Sequence, residues 1–154
     1  MVAMRCMLGL MVILCLTGCS TRSSLEVDSF FMRDFSMPAT EEPMVRMEKL
    51  RRLHGAITAA ERNERLGHYY TMHWSDPAGA GKGEVELIFE YQQGATASLV
   101  KRQSQRFDSS SRNGKTEFRV TGTDFSKGGR VLAWKATLKR GGREIASHHS
   151  YLWE

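Results

Sequence analysis

Hydrophobic and polar residues alternate along most of the chain after His68, and this pattern predicts antiparallel strands. Successive side chains of a strand point to opposite faces, so a period of two indicates one buried face and one wet face. The alternation is clear in four segments and less regular in two more, 98–107 and 144–153. The apolar members of the four clear segments are Tyr70, Met72 and Trp74; Val85, Leu87, Phe89 and Tyr91; Phe118 and Val120; and Leu132, Trp134, Ala136 and Leu138.

Turn-forming dipeptides separate these segments. They are Asp76-Pro77, Gln93-Gly94, Asn113-Gly114, Gly128-Gly129 and Gly141-Gly142, of which the last is the clearest hairpin signal. Six or seven short strands at this spacing are typical of a sandwich or small barrel. We therefore expect residues 67–154 to form a mainly β domain, an antiparallel immunoglobulin-like or fibronectin type III-like β-sandwich, with one amphipathic α-helix in front of it.

Residues 41–66 show the helical period that predicts this amphipathic helix. Apolar residues at spacings of three or four form one stripe, which consists of Met44, Met47, Leu50, Leu53 and Ile57. Thr40 is the predicted N-cap, Gly67 is the predicted stop, and Gly55 is a point where the helix could break. We expect the stripe to pack on the β domain. The alternative is a helix that contacts a membrane surface or a partner.

The first 18 residues have the three parts of an export signal. Arg5 supplies the positive start, residues 6–16 form an almost wholly apolar core without charge, and small residues follow. A transmembrane helix needs about 20 apolar residues, which is more than this core offers. The segment therefore predicts a signal peptide, and a permanent membrane span is the weaker alternative.

The end of this signal carries a specific motif. Leu16, Thr17, Gly18 and Cys19 resemble the bacterial lipobox, in which an aliphatic residue and two small residues precede the cysteine. The resemblance implies cleavage before Cys19 and lipidation of its thiol, and so a membrane-anchored protein of the bacterial cell envelope. Ser20 implies the periplasmic face of the outer membrane if the bacterium is Gram-negative. An ordinary signal peptide with a chance cysteine is the alternative.

Removal of 18 of the 154 residues leaves 136, enough for one small domain and a tether, which we place at residues 19–40. The chain has 22 basic and 17 acidic residues and a net charge of +5. This charge suits anionic envelope surfaces, but an ordinary solvated surface is the favoured explanation. An exported protein is not expected to bind nucleic acid. Of Cys6, Cys15 and Cys19, only the last remains after cleavage, which excludes internal disulfides, cysteine nucleophiles and thiolate metal sites.

Two motifs suggest chemistry and fail on inspection. The glycine-rich run 78–83 superficially looks like a phosphate-binding loop, but Asp76 and Gly83 stand where that loop needs glycine and a hydroxyl residue. His148 and His149 are adjacent in a predicted strand and so point to opposite faces, which does not suit one metal ion. His68 or His73 from another strand could join one of them, but the sequence imposes no ligand spacing.

Catalytic residues are not apparent either. Ser109, Ser110 and Ser111 lack the frame of a nucleophile, and Glu84, Glu86 and Glu90 share the wet face of one strand, where solvation explains them. We therefore assign no catalytic residues, no metal and no cofactor other than the covalent lipid on Cys19.

Large aromatic residues are the remaining candidates for a binding surface. Trp74, Trp134 and Trp153 would form a carbohydrate- or protein-binding platform if they were exposed together, and Tyr91 and Tyr151 could join them. Packing in the core or at its rim is the favoured interpretation, because a domain without disulfides needs such residues inside.

The leading functional hypothesis is a non-catalytic interaction or assembly module, with the membrane and an unidentified envelope protein or polymer as partners. A lipoprotein that binds a carbohydrate or lipid ligand is the second hypothesis, and a small envelope hydrolase is the third.

Overall fold

Seven strands form two antiparallel sheets in residues 24–96 and 98–153, the part of the chain that the computed structural model describes. The strands are β1 (Leu25–Met32), β2 (Gly67–Ser75), β3 (Val85–Gln93), β4 (Val100–Phe107), β5 (Asn113–Thr121), β6 (Val131–Arg140) and β7 (Arg143–His149). The helices are α1 (Pro43–Leu53), α2 (Ala59–Asn63) and α3 (Gly122–Gly128), and Pro77–Gly79 form a short 3₁₀ turn. The signal segment 1–18 and Cys19 lie outside the described residues.

The small sheet has the order β1-β2-β5, and the large sheet has the order β4-β3-β6-β7. All neighbouring strands run antiparallel. Strands 1, 2 and 5 opposite strands 3, 6 and 7 form the immunoglobulin arrangement, and the position of β4 beside β3 is that of the fibronectin type III variant. The mainly β sandwich expected from the sequence is confirmed.

Aromatic rings fill the space between the sheets. Phe89 of β3 is fully buried, with its ring centroid 4.6 Å from that of Tyr70, 5.3 Å from that of Tyr91 and 5.5 Å from that of Phe118. Met72, Leu87 and Leu138 are equally inaccessible. The alternating residues of β2, β3 and β5 thus face inward as their period predicts.

One strand departs from its predicted phase. Gln92 lies opposite Ala133 and Gln93 opposite Val131, so Leu132 is the extra residue of a β-bulge in β6. The predicted inward position of Leu132 is wrong, because the bulge turns its side chain outward and leaves it 54% exposed.

The first strand comes from the segment 19–40 that the sequence predicts as a tether. β1 pairs along its whole length with β2, from Leu25 opposite Trp74 to Met32 opposite Gly67. The tether prediction is therefore wrong for residues 25–32, and the helices follow the first strand instead of preceding the sandwich. The alternation in β1 is hidden, because Phe30 and Met32 lie on its outer face and are covered there.

The predicted helix 41–66 is two helices. Gly55, which has a φ of 83°, interrupts it after α1. A reciprocal cap opens α2, since the Thr58 hydroxyl accepts from the backbone of Glu61 and the Glu61 carboxylate accepts from that of Thr58. The predicted N-cap Thr40 is also wrong, because α1 begins after Glu42. We call residues 33–66, which connect β1 to β2, the helical arm.

A buried arginine organises the end of the sandwich where β1 begins, which we call the Leu25 end. The Arg140 guanidinium donates to the Asp76 carboxylate at 2.7 Å and to the carbonyl oxygens of Gly83, Ser109 and Ser111 at 2.8–3.2 Å. The glycine-rich run and the serine run are therefore two loops held by one side chain.

The opposite end, which we call the Met32 end, is closed by α3, an element that the sequence pattern does not predict. Asp124 of α3 accepts a hydrogen bond from Tyr91 at 2.6 Å and pairs with Lys101. The buried amide of Gln93 donates to the Asp124 and Gly129 carbonyls. These bonds tie α3 to β3 and β4.

Candidate interaction surface

Helix α1 lies on the outer face of the small sheet with charged residues turned inward. Lys49 and Arg52 are the residues of α1 that are buried. The Arg52 guanidinium carbon lies 3.6 Å from the centre of the Tyr69 ring and 5.2 Å from that of Phe30. A cation over aromatic faces is attracted by their negative quadrupoles, so the two strands offer Arg52 a specific seat.

Two carboxylates complete the surroundings of Arg52. Its guanidinium forms ion pairs with Glu48 of the same helix at 2.6 Å and with Glu117 of β5 at 2.9 Å. Lys49 is also paired, because its ammonium donates to Glu41 at 2.6 Å and to the Ser36 carbonyl at 2.9 Å. Burial of a charge is tolerated only with such partners.

The inward position of these cations turns the apolar residues of α1 toward solvent. Met44 is 74% exposed, Met47 is 64% exposed and Leu50 is 48% exposed, and we call these three residues the α1 stripe. Ile57, beyond the end of α1, is 82% exposed. The expectation that the stripe packs on the β domain is therefore wrong for these four residues, and Leu53 alone of the five is half-buried.

The two flanks of α1 differ in character. On the β1 side, the α1 stripe borders an open groove whose floor includes Phe30, Ser29 and Asp28. On the β5 side lies an arginine cluster, which consists of Arg51, Arg52, Arg65 and Arg119 around Tyr69 and Glu117. Four guanidinium groups against Glu48 and Glu117 leave this region with a net formal charge of +2.

The carboxylates of this region are held in the ionised form. Hydrogen bonds from Arg51, with the added charge of Arg52, lower the pKa of Glu48 to about 2. Burial by itself would raise the pKa of Glu117, but Arg52 and Arg119 more than offset it and the pKa is lowered. Such groups stay deprotonated near neutral pH and do not suit the role of a general acid.

The predicted aromatic platform does not form as a unit. Trp74 is a core residue, 3% exposed, and its ring lies 5.1 Å from that of Phe107. Trp134 is half-buried and packs against Tyr70, and Trp153 is also half-buried. The prediction that Trp74 contributes to the protein surface is therefore wrong. Tyr91 is buried as well, whereas Tyr151 is almost fully exposed.

The histidines are dispersed. His68 is buried and stacks on Phe31 with ring centroids 4.1 Å apart, and burial together with the charge of Arg130 lowers its pKa to about 4. His73 and His149 are exposed on different sheets. Within residues 24–96 and 98–153, no group of three or more His, Cys, Asp or Glu side chains is arranged to hold a metal ion.

Leu16, Thr17, Gly18 and Cys19 belong to the segment outside the described residues, so their predicted role stays a prediction. Within the described ranges, no helix is long and apolar enough to cross a membrane. Comparisons with protein-family models, characterised proteins and solved structures find no significant match to the chain.

Proposed function

We propose that the protein is a non-catalytic interaction module of the bacterial envelope, anchored to a membrane by lipid on Cys19, with the outward face of α1 as its contact surface. The lipobox resemblance supports the anchor. The observation that carries the contact surface is the inverted α1, with Lys49 and Arg52 buried and the α1 stripe exposed.

The energetic argument for a contact surface rests on the apolar side chains that the fold leaves unburied. Burial of a Met or Leu side chain stabilises a protein by about 1.5–3 kcal/mol, and three such side chains stay in solvent here. The fold instead seats Arg52 on Tyr69 and closes ion pairs around it. Natural proteins depart from the rule that apolar side chains are buried and charged ones exposed mostly at functional sites. Contiguous exposed apolar groups mark interaction surfaces.

The ion pairs of the carboxylates support a non-catalytic role. Glu48 and Glu117 are engaged by arginines on both sides, and Asp124 is engaged by Lys101 and Tyr91. Asp76 is held by Arg140. These groups act as structural partners of cations, which supports the interaction module over a hydrolase.

The groove between α1 and β1 favours a second candidate function, the binding of a carbohydrate or lipid ligand. Phe30 and the α1 stripe give it an apolar lining, with Asp28 and Ser29 as polar groups. The groove is open, whereas ligand pockets normally enclose most of their ligand. A ligand that raises the melting temperature of the wild type, but not that of Phe30→Ala, would favour this candidate.

Site-specific photo-crosslinking in living cells tests the contact surface. A photoreactive residue at position 47 should form adducts with an envelope component, either a protein or a lipid, detected as a mass increase. The same residue at position 132 is the matched control, because Leu132 is similarly exposed but lies in β6 of the other sheet. Equal adduct yields at the two positions would contradict the proposal.

A further inference from the structure

The outward side of α1 combines apolar and cationic groups. Arg51 lies beside the α1 stripe, is 59% exposed, and belongs to the arginine cluster, a region with a net formal charge of +2. Four of the six acidic residues of the arm are already engaged by arginine, lysine or backbone groups, namely Asp34, Glu41, Glu48 and Glu61. Apolar side chains next to cations are typical of helices that lie in the interface of an anionic bilayer.

The start of β1 limits how far this face can lie from the proposed anchor. β1 begins at Leu25, so six residue steps separate it from Cys19, a span of at most about 22 Å. Phe30, in the floor of the α1 groove, lies five residues further along the same strand, about 17 Å from Leu25. β1, the strand that follows the proposed anchor in the chain, is therefore also the strand that lines the groove beside α1.

We propose that the α1 stripe and Arg51 dock on the anionic bilayer that holds the anchor. The sandwich then lies on its small sheet, and the outer face of the large sheet points away from the membrane. This inference rests on the proposed function, because it names the partner of the same contact surface and assumes the lipid on Cys19.

The outer face of the large sheet fits the position away from the bilayer. Cross-strand register places Glu86 between Arg106 and Lys139, and Glu90 between Arg102 and Lys135. These rows of alternating charge are fully compatible with water and offer no continuous apolar surface to lipid tails.

A single-thiol experiment tests the docking. The described residues contain no cysteine, so Met47→Cys provides a unique free thiol in the lipidated protein, in which the Cys19 thiol is blocked. The variant carries an environment-sensitive fluorophore and is reconstituted in vesicles of phosphatidylethanolamine with phosphatidylglycerol. Leu132→Cys is the matched control. Both positions are exposed, so neither change should disturb the fold.

We expect the emission of the fluorophore at position 47 to shift to shorter wavelength when vesicles are added. Its quenching by aqueous iodide should be at least about threefold weaker than that of the fluorophore at position 132. In vesicles of phosphatidylcholine alone, the protection should be clearly smaller. Equal iodide access at the two positions, in protein that floats with the vesicles, would overturn the docking and leave the anchor intact. Equal protection in both vesicle types would overturn the anionic requirement of the proposal.

Two further outcomes separate docking from its assumptions. Protein that carries no lipid and does not float with the vesicles would overturn the proposed anchor itself. Protection of position 47 that appears only after a soluble envelope extract is added would assign the α1 stripe to a protein partner, and so overturn the lipid proposal while the contact surface stands.

Discussion

At the scale of single residues, two buried arginines determine how this chain is held together. Arg52 fixes the helical arm to the small sheet, and Arg140 fixes two loops at the Leu25 end. Neither role follows from the sequence pattern, because a charge on a helix or at a strand end is usually solvated. The binding partners of Arg52, Tyr69 and Glu117, come together only in the folded protein. The same holds for Asp76 and the serine loop around Arg140.

Arg140→Ala should strongly destabilise the sandwich. The change leaves Asp76 without its partner and leaves several loop carbonyls without donors, and loss of one member of a buried ion pair costs about 3–5 kcal/mol. Urea unfolding measures the change. The nearby exposed Arg143→Ala is the control and should have an effect of less than about 0.5 kcal/mol. Similar losses in the two variants would refute the role of Arg140.

His68 should make the folded state sensitive to mild acid. Its pKa is about 4 in the folded protein and 6.5 in the unfolded chain, so between these values the unfolded chain binds more protons. Stability is complete above pH 6.5 and falls as the pH drops toward 4, by at most about 1.4 kcal/mol per pH unit.

The variant His68→Phe isolates this contribution. Phenylalanine keeps the stacking on Phe31, and the buried Nε2 that it removes makes no hydrogen bond to the described residues. Chemical unfolding between pH 4 and 6.5 should therefore show a flatter stability profile for the variant than for the wild type. Identical slopes would rule out His68 as the source.

At the scale of elements, periodicity predicts strands well and the orientation of the helix badly. The period of two locates β2, β3, β5 and β6, and the Gly141-Gly142 pair locates the β6–β7 hairpin. Amphipathic spacing shows that α1 has an apolar side, but it does not state which side faces the protein. The outer face of the small sheet decides this, because it offers Tyr69 and Glu117 to a guanidinium.

The same element explains why β1 escapes prediction. A strand is recognised by one polar face, but Phe30 and Met32 occupy the outer face of β1. Both are shielded from water there, Phe30 by Arg52 of the helical arm, and such a tertiary contact has no local signature in the sequence. The α3 helix and the β6 bulge are not predicted for a related reason. Both are held by contacts of Gln93, with Asp124 of α3 and with β6, and these contacts join residues more than 30 positions apart in the chain.

Arg52→Ala should loosen the arm before the sandwich. Amide hydrogen exchange in residues 43–66 should become at least about tenfold faster, equivalent to about 1.4 kcal/mol, because Glu48 and Glu117 lose the cation between them. Exchange in β3 and β6 should change far less. Arg51→Ala, which removes a more exposed neighbour, is the control. Uniform acceleration across the protein would contradict an independent arm.

The β6–β7 hairpin should depend on glycine for its backbone alone. Gly142 has a φ of 81°, and a side chain added there meets no atom within 4 Å. Gly142→Ala should therefore cost about 1–2 kcal/mol through backbone strain, measured by thermal unfolding. Gly142→Asn should cost less, because asparagine tolerates the left-handed region. Equal costs for both variants would indicate a side-chain clash instead.

At the scale of the whole molecule, the corrected start of the sandwich shortens the proposed tether. A tether of residues 19–40 would let the domain roam, whereas β1 leaves only residues 20–24 between Cys19 and the fold. The domain would then stay within about 22 Å of its anchor.

Intact mass of the membrane-extracted protein tests the anchor. The expected chain begins at Cys19 and carries acyl additions, and Cys19→Ser should release the domain from the membrane fraction. Ser20→Ala is the matched control and should leave attachment unchanged. A mature chain that begins elsewhere, or a Cys19→Ser protein that is still acylated, would refute the lipobox prediction.

The pairing of β1 also has a mechanical consequence. β1 begins at the Leu25 end, whereas β7, which starts at the Gly141-Gly142 turn of the same end, runs toward the Met32 end. A pull between the two termini therefore acts along the strand axes. It loads the eight-residue register of β1 on β2 in shear, with its hydrogen bonds resisting together instead of opening one after another. The first strand is thus placed to transmit force, and a domain pulled at its N-terminus would lose the β1–β2 hydrogen bonds in one cooperative step.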